Sequence, residues 1–295
     1  MSNYLPKILE AAAAYYNGTP RMTDQEFDAL CERFRAAEPE AFAAWRSSYI
    51  GARPAAATPH PFRMLSLSGN DWNHYAEFLE WLDGMPKQRT YILQPKIDGH
   101  AVSVTYTHGD LTRVATRGDG KAGKDITGFA LKNRIFPARL VLHSFNRKGL
   151  PSELTFTGEI YIPRKNWNSA EYSHPRNELC AAINSAEHAQ KSTLLGVIHG
   201  FPEPPSYWHT TEEQALNFAE KYFGLPTVRH FVVTELTLRA NFGQNLRCYF
   251  EHFLGGDAPL DGLVVKLNSL EDQARIGCSA TAPRWAYALK EYQNY

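Results

Sequence analysis

Lys96 closes the run YILQPK (residues 91–96) and stands two residues before an Asp98-Gly99 turn. A lysine amine attacks electrophiles only when deprotonated, and its ordinary pKa of about 10.4 leaves almost none of it free at neutral pH. Burial or neighbouring cations lower that value and make lysine a covalent catalyst. The K-x-D-G string alone describes an exposed turn equally well, so a covalent role requires cations and a substrate pocket supplied by other parts of the chain. Residues 86–148 carry twelve Lys or Arg against four Asp, an excess of eight positive charges in a chain whose net charge is zero. That stretch reads either as solvated strand edges or as a phosphate-binding face. Four cysteines (Cys31, Cys180, Cys248, Cys278) lie far apart with no C-x-x-C pair, so neither a zinc site nor a disulfide framework is indicated, and reduced thiols are expected.

The elements that must position Lys96 are legible as periodicities. Residues 4–46 have helical spacing, with Leu5, Ile8, Leu9, Ala12 and Tyr15, then Phe27, Leu30, Cys31 and Phe34 after a break at 17–20. This predicts a helical hairpin whose second helix opens on a Thr23–Glu26 capping box. The stretch GARPAAATPHP (51–61) contains three prolines and reads as a linker, which places a domain boundary there. From Tyr91 onward come short strand-like runs: YILQPKI, AVSVTYT, LTRVAT, ELTFTGEIYI, TLLGVIHGF, RHFVVTELTL and DGLVVKLN. Helices are predicted over Trp72–Leu82, Glu178–Ala189 and Glu212–Phe223. The expectation is an α+β fold: mostly antiparallel sheets flanked by helices. Hydrophobic content of 43% and a charged fraction of 21% suit a soluble globular chain. No apolar stretch reaches the roughly 18 residues of a membrane span, and the N-terminus lacks a leader pattern, so a cytoplasmic protein without a membrane partner is expected.

Six strings in fixed order are more specific: Lys-Ile-Asp-Gly at 96–99, Ala-Thr-Arg-Gly-Asp-Gly at 115–120, Thr-Gly-Glu-Ile at 157–160, His-Pro-Arg-Asn at 174–177, Asp-Gly-Leu-Val-Val-Lys at 261–266 and Ala-Pro-Arg-Trp-Ala-Tyr-Ala-Leu-Lys at 282–290. Together they resemble the nucleotidyltransferase motifs of NAD-dependent DNA ligases. Tyr15-Tyr16, the segment Thr23–Asp28 and Met64-Leu65-Ser66-Leu67 extend the resemblance over nearly the whole chain. It implies a small helical domain binding nicotinamide mononucleotide (1–58, with the linker) and an adenylation domain (59–295).

The resemblance also implies roles. Lys96 would attack the α-phosphorus of NAD and hold AMP, and Lys266 and Lys290 would neutralise phosphate and help depress the Lys96 pKa. Ser66, Leu67, Gln94, Asp98, Arg117, Glu159, Arg176 and His199 would line the nucleotide site. Tyr15, Tyr16, Asp24, Phe27 and Asp28 would clamp the nicotinamide mononucleotide. Asp261 and Glu159 would hold Mg²⁺, a hard cation for which one or two carboxylates suffice. Asp98 and Glu159 lie in apolar contexts, where ribose, metal or a salt bridge to Arg117 or Arg176 must partner them.

The chain departs from the family in Gln94 for an acid, Tyr16 for a histidine, Phe27 for a tyrosine, His199 for a tyrosine, and Glu178–Asn184 where Gly-Ser-Leu-Arg is usual. It also stops five residues after Lys290, where the family continues into an oligonucleotide-binding barrel and further domains. The expectation is the adenylating part of an NAD-dependent DNA ligase acting on nicked duplex DNA with a partner chain that carries the barrel. It would be a subunit of a split enzyme, bacterial or viral, or a shortened form. An RNA ligase or end-adenylating nucleotidyltransferase, and an inert NAD- or DNA-binding subunit, are the alternatives.

Overall fold

The computed structural model describes residues 4–16, 21–22, 24–46, 49, 51–52, 54, 56–72, 74–141, 151–184, 193–202, 209–240 and 242–291. Three helices open the chain: α1 (Tyr4–Tyr16), α2 (Asp24–Ala37) and α3 (Pro39–Arg46). They close on a core of their own around Ile8, Phe34 and Trp45. The helical spacing over 4–46 is realised as the expected hairpin of α1 and α2, with a third helix, α3, added after it. Pro39 starts the third, as proline does where a first-turn N–H needs no partner. Thr23 of the expected capping box lies outside the described residues.

The rest of the chain forms β1 (Thr58–Pro59), β2 (Gly69–Asp71), α4 (Tyr75–Asp83), β3 (Thr90–Ile97), β4 (His100–Thr107), β5 (Asp110–Thr116), β6 (Ala122–Gly123), α5 (Thr127–Lys132), β7 (Glu153–Tyr161), α6 (Pro175–Asn184), β8 (Leu195–Gly200), α7 (Glu212–Phe223), β9 (Phe231–Thr234), α8 (Glu235–Arg239), α9 (Phe242–Leu254), β10 (Leu260–Leu267), α10 (Leu270–Ile276) and β11 (Ala286–Lys290). One sheet has the order β2-β11-β10-β3-β9 and is antiparallel except at β2–β11; a second, fully antiparallel, has the order β5-β4-β7-β8. This is an α+β fold of mostly antiparallel sheets with helices against them.

Alternation assigns the faces of the first sheet. Tyr91, Leu93, Leu263, Val265, Leu267 and Leu289 bury one face against Phe78 and Leu82 of α4 and Leu246, Phe250 and Phe253 of α9. Each side chain so buried contributes about 1.5–3 kcal/mol. The opposite face carries Ile92, Gln94 and Lys96 on β3, Gly262, Val264 and Lys266 on β10, and Ala286, Ala288 and Lys290 on β11. The second sheet buries Val102, Val104, Val114, Phe156 and Ile160 against α5, α6 and α7.

Several elements differ from expectation. The helix expected at Trp72–Leu82 begins at Tyr75, and the one expected at Glu178–Ala189 begins earlier, as Pro175–Asn184, with residues 185–189 outside the described residues. The run RHFVVTELTL does not continue as a strand. Thr234 caps a helix by accepting from Thr237 N at 3.2 Å, so β9 ends and α8 begins there. Helices α5, α9 and α10 are additions, although Leu246, Phe250 and Phe253 already carry the helical spacing of α9. Among the described residues no helix is long and apolar enough to cross a membrane.

Candidate active site

Strands β3 and β4 do not pair with each other. The two residues between them, Asp98 and Gly99, carry the chain from the first sheet to the second. Lys96 thus sits at the end of one sheet beside the crossing to the other, which accounts for a lysine before this turn. The crossing is tight: a Cβ at Gly99 would lie 2.1 Å from the Ile160 carbonyl oxygen, so only glycine fits.

Across the first sheet, Lys96 and Lys290 are the two cross-strand neighbours of Gly262. Gly262 has φ +146°, and a Cβ there would meet the Leu289 carbonyl oxygen at 2.0 Å. No side chain therefore separates the two lysines, which straddle a gap of two strand spacings, about 10 Å. Two cations around a bare backbone form a natural seat for a phosphate. The next row holds Gln94, Val264 and Ala288. Gln94 is buried, and its Nε2 finds no hydrogen-bond partner among the described residues.

Lys96 Nζ donates to Asp261 Oδ2 at 2.5 Å. Burial, the largest single influence, would lower the Lys96 pKa. The charge and hydrogen bond of Asp261, with the charge of Asp98, outweigh it and raise the pKa above the usual lysine value. The expected depression of this amine is thus absent from the arrangement as it stands, because its closest neighbour is a carboxylate. The other carboxylate oxygen, Asp261 Oδ1, is buried and without a hydrogen-bond partner among the described residues.

The second sheet supplies the opposite wall. Burial pushes the Glu159 carboxyl up to about 8, opposed by Arg176, Arg117 and Lys96 and reinforced by Asp98. Those groups therefore share one electrostatic environment. Asp98 lies 3.5 Å from Arg176 and 3.4 Å from His174 Nε2, so part of its partnering is protein-based. The neighbouring His100 is held neutral, its pKa lowered to about 3 by burial and then by Arg176 and Arg117.

Lys266 shares the pocket face but is held differently. Its ammonium donates to the His199 carbonyl at 2.6 Å and to Glu212 Oε1 at 2.9 Å. The His199 ring is neutral, its pKa lowered to about 3 by burial and by the Lys266 charge. Ser66 and Leu67 lie in a strap that starts at β1, which pairs with β6, and runs along the first sheet: Ser66 N donates to Thr281 O and Ala288 N to Ser68 O, both at 2.8 Å. Lys124 Nζ donates to Asn184 Oδ1 at 2.7 Å and to Ile183 O at 3.0 Å, so a lysine contact occupies the segment where the family has its arginine.

In the helical segment, Phe27 packs at the edge of the core around Phe34. The side chains of Tyr15, Tyr16, Asp24 and Asp28 lie outside the described residues. Sequence reasoning missed Glu212 and His174 as site neighbours. An acid in a helix's first turn reads as a dipole partner, and nothing local marks its buried lysine.

A family model, the NAD-dependent DNA ligase adenylation domain, matches residues 54–293. The chain belongs to this family. Among similar proteins is a DNA ligase of Corynebacterium aurimucosum, 30% identical over 302 residues, covering 94% of this chain and 42% of that protein. A DNA ligase of Corynebacterium jeikeium is likewise 30% identical over 297 residues, with the same coverage of 94% and 42%. This adenylation-domain chain thus spans well under half the length of the curated relatives it matches. A solved archaeal ATP-dependent RNA ligase is 17% identical with a TM-score of 0.45, covering 78% of this chain and 48% of that one.

Proposed function

We propose that the chain charges itself with AMP from NAD and passes that AMP to the 5′-phosphate of a DNA nick. The observation that carries this reading is the row Lys96–Gly262–Lys290, with Asp261 on the Lys96 amine at 2.5 Å. Deprotonated Lys96 Nζ forms a bond to the α-phosphorus of NAD while the bond from that phosphorus to the bridging oxygen breaks. Nicotinamide mononucleotide departs with the electron pair, and AMP remains on Lys96. Asp261 is the carboxylate in reach of the proton that Lys96 must shed. Lys290, across the glycine gap, opposes the phosphate charge, and Arg117 and Arg176 hold polar groups of the substrate on the other wall.

The residues present fit Mg²⁺, since Asp261 Oδ1 is a buried oxygen with no hydrogen-bond partner among the described residues and Glu159 stands on the facing sheet. Bound there, Mg²⁺ would add positive charge against the phosphate oxygens. The helical segment at 1–58, through Tyr15, Tyr16, Asp24, Phe27 and Asp28, would hold the nicotinamide mononucleotide leaving group. Ser66, Leu67, Gln94, Asp98 and His199 would surround the adenosine. Nicked duplex DNA is the substrate, and a second ligase subunit bearing an oligonucleotide-binding barrel is the partner, in the cytoplasm of a bacterium or a virus-infected host.

Intact mass spectrometry after incubation with NAD and Mg²⁺ tests this. Wild-type protein should gain one adenylyl group, Lys96→Ala should gain none, and ATP should not replace NAD. Labelling by ATP and not by NAD would overturn the cofactor assignment.

A further inference from the structure

Lys96 is held by a carboxylate on the neighbouring strand of its own sheet, whereas Lys266 reaches across to the second sheet. Its partners there are the His199 carbonyl on β8 and Glu212 at the start of α7. The side chains of this ion pair are 8% and 5% exposed. Glu212 is itself fixed on every side. Its Oε2 accepts from Gln273 Nε2 at 3.1 Å, and that same nitrogen donates to Leu267 O at 2.7 Å. The Glu212 backbone N–H donates to Asn268 O at 2.8 Å, and Glu213 N donates to Asn268 Oδ1 at 3.1 Å. The first turn of α7 is thereby fastened to the residues that follow β10.

The backbone presses on the pair from the other side. A Cβ at Gly200 would stand 3.6 Å from both Lys266 Nζ and Glu212 Oε1, and 2.7 Å from Thr157 Oγ1. An ammonium carries three N–H donors. His199 O and Glu212 Oε1 take two; the third has no acceptor among the described residues, and Lys266 lies on the sheet face that carries Gln94 and Lys96.

We infer that Glu212 is a positioning residue for self-adenylation, resting on the reading that Lys96 takes up AMP. It locks the Lys266 ammonium between the two sheets with one N–H turned to the bound nucleotide. Without the carboxylate the ammonium keeps a single carbonyl as anchor and loses its fixed direction, and misplacement by about 1 Å in such sites costs about 10²-fold in rate. The effect belongs to the chemical step and not to NAD capture.

The test is a double-mutant cycle with the full chain, reading the single-turnover rate of protein–AMP formation over a range of NAD concentrations, with thermal unfolding alongside. Glu212→Gln should slow the saturated rate about 10²-fold while shifting the half-saturating NAD concentration less than about threefold. Glu212→Asp, which keeps the charge, should recover part of that rate. In a Lys266→Met background, Glu212→Gln should cause no further loss. If Glu212→Gln does not fold, the pair Glu212→Leu/Lys266→Met, which buries no lone charge, must match Lys266→Met alone. Additive losses, a folded Glu212→Gln at the wild-type rate, or a Lys266→Met at the wild-type rate would overturn the assignment. A wild-type chain that takes up no AMP overturns the proposed function and this role with it. A wild-type chain that charges while Glu212→Gln matches it overturns this role alone.

Discussion

Two buried side chains show opposite ways of managing polarity around Lys96. Gln94 presents a buried Nε2 with no hydrogen-bond partner among the described residues, a cost that a nucleotide sharing that face would relieve. His100, by contrast, is held neutral, its pKa lowered to about 3 by burial and the two nearby arginines. The unfolded chain takes up that proton near pH 6.5, so below that value it binds more protons than the native state does. Stability from this residue is complete above about 6.5 and is lost as pH falls toward 3, with a slope of up to about 1.4 kcal/mol per pH unit. His100→Gln cannot take up the proton. Urea unfolding at pH 7.5 and pH 5 should therefore show wild type losing more stability on acidification than the variant. Equal losses would mean that His100 is protonated within the fold.

At the scale of elements, legibility followed sequence distance. Lys96 at a strand end and the face it shares with Gln94 are properties of one strand, and alternation alone places them; the Asp98-Gly99 turn is a crossing between two sheets, which alternation does not reveal. The Lys266–Glu212 pair joins residues 54 apart, and helix α8 displaced an apparent strand because one cap, Thr234, overrode the β-branched run before it. Local pattern cannot carry the first fact; the second rests on a local cap that the β-branched run before it masked. The opening helices have a core of their own around Ile8, Phe34 and Trp45, while Thr58 already pairs with Gly123 of the larger unit. A deletion that spares this pairing ends at residue 57. It should leave a cooperatively folding protein, since the core around Leu93, Leu263 and Phe250 is untouched. The shortened protein should lose adenylation from NAD, because the leaving-group contacts are assigned to the removed helices. Circular dichroism melting together with mass-spectrometric labelling reads both outcomes. Undiminished labelling would assign those helices a structural role only.

For the whole molecule, the question is whether 295 residues that span 42% of their curated relatives can grip a nick. The positive excess in 86–148 overstates the surface on offer. Lys96 is committed to Asp261, Arg89 to Asp272, Lys124 to Asn184, and Arg139 faces Asp110. Lys121, Lys132 and Arg134 are exposed and available to phosphates. Three such contacts give a salt slope of about −2.7, so affinity for duplex falls roughly fortyfold between 50 and 200 mM salt. Such contacts also carry no preference for the break itself. The isolated polypeptide should therefore charge itself with AMP yet seal nicks poorly at near-physiological salt, somewhat better at low salt, and efficiently once a chain carrying an oligonucleotide-binding barrel is added. Gel-resolved ligation of a single nick by pre-adenylated protein, at both salt levels and with or without that chain, measures this. Multiple-turnover sealing by the polypeptide alone at physiological salt would place a complete DNA clamp within these residues, and the exposed Lys121, Lys132 and Arg134 would be the first to substitute.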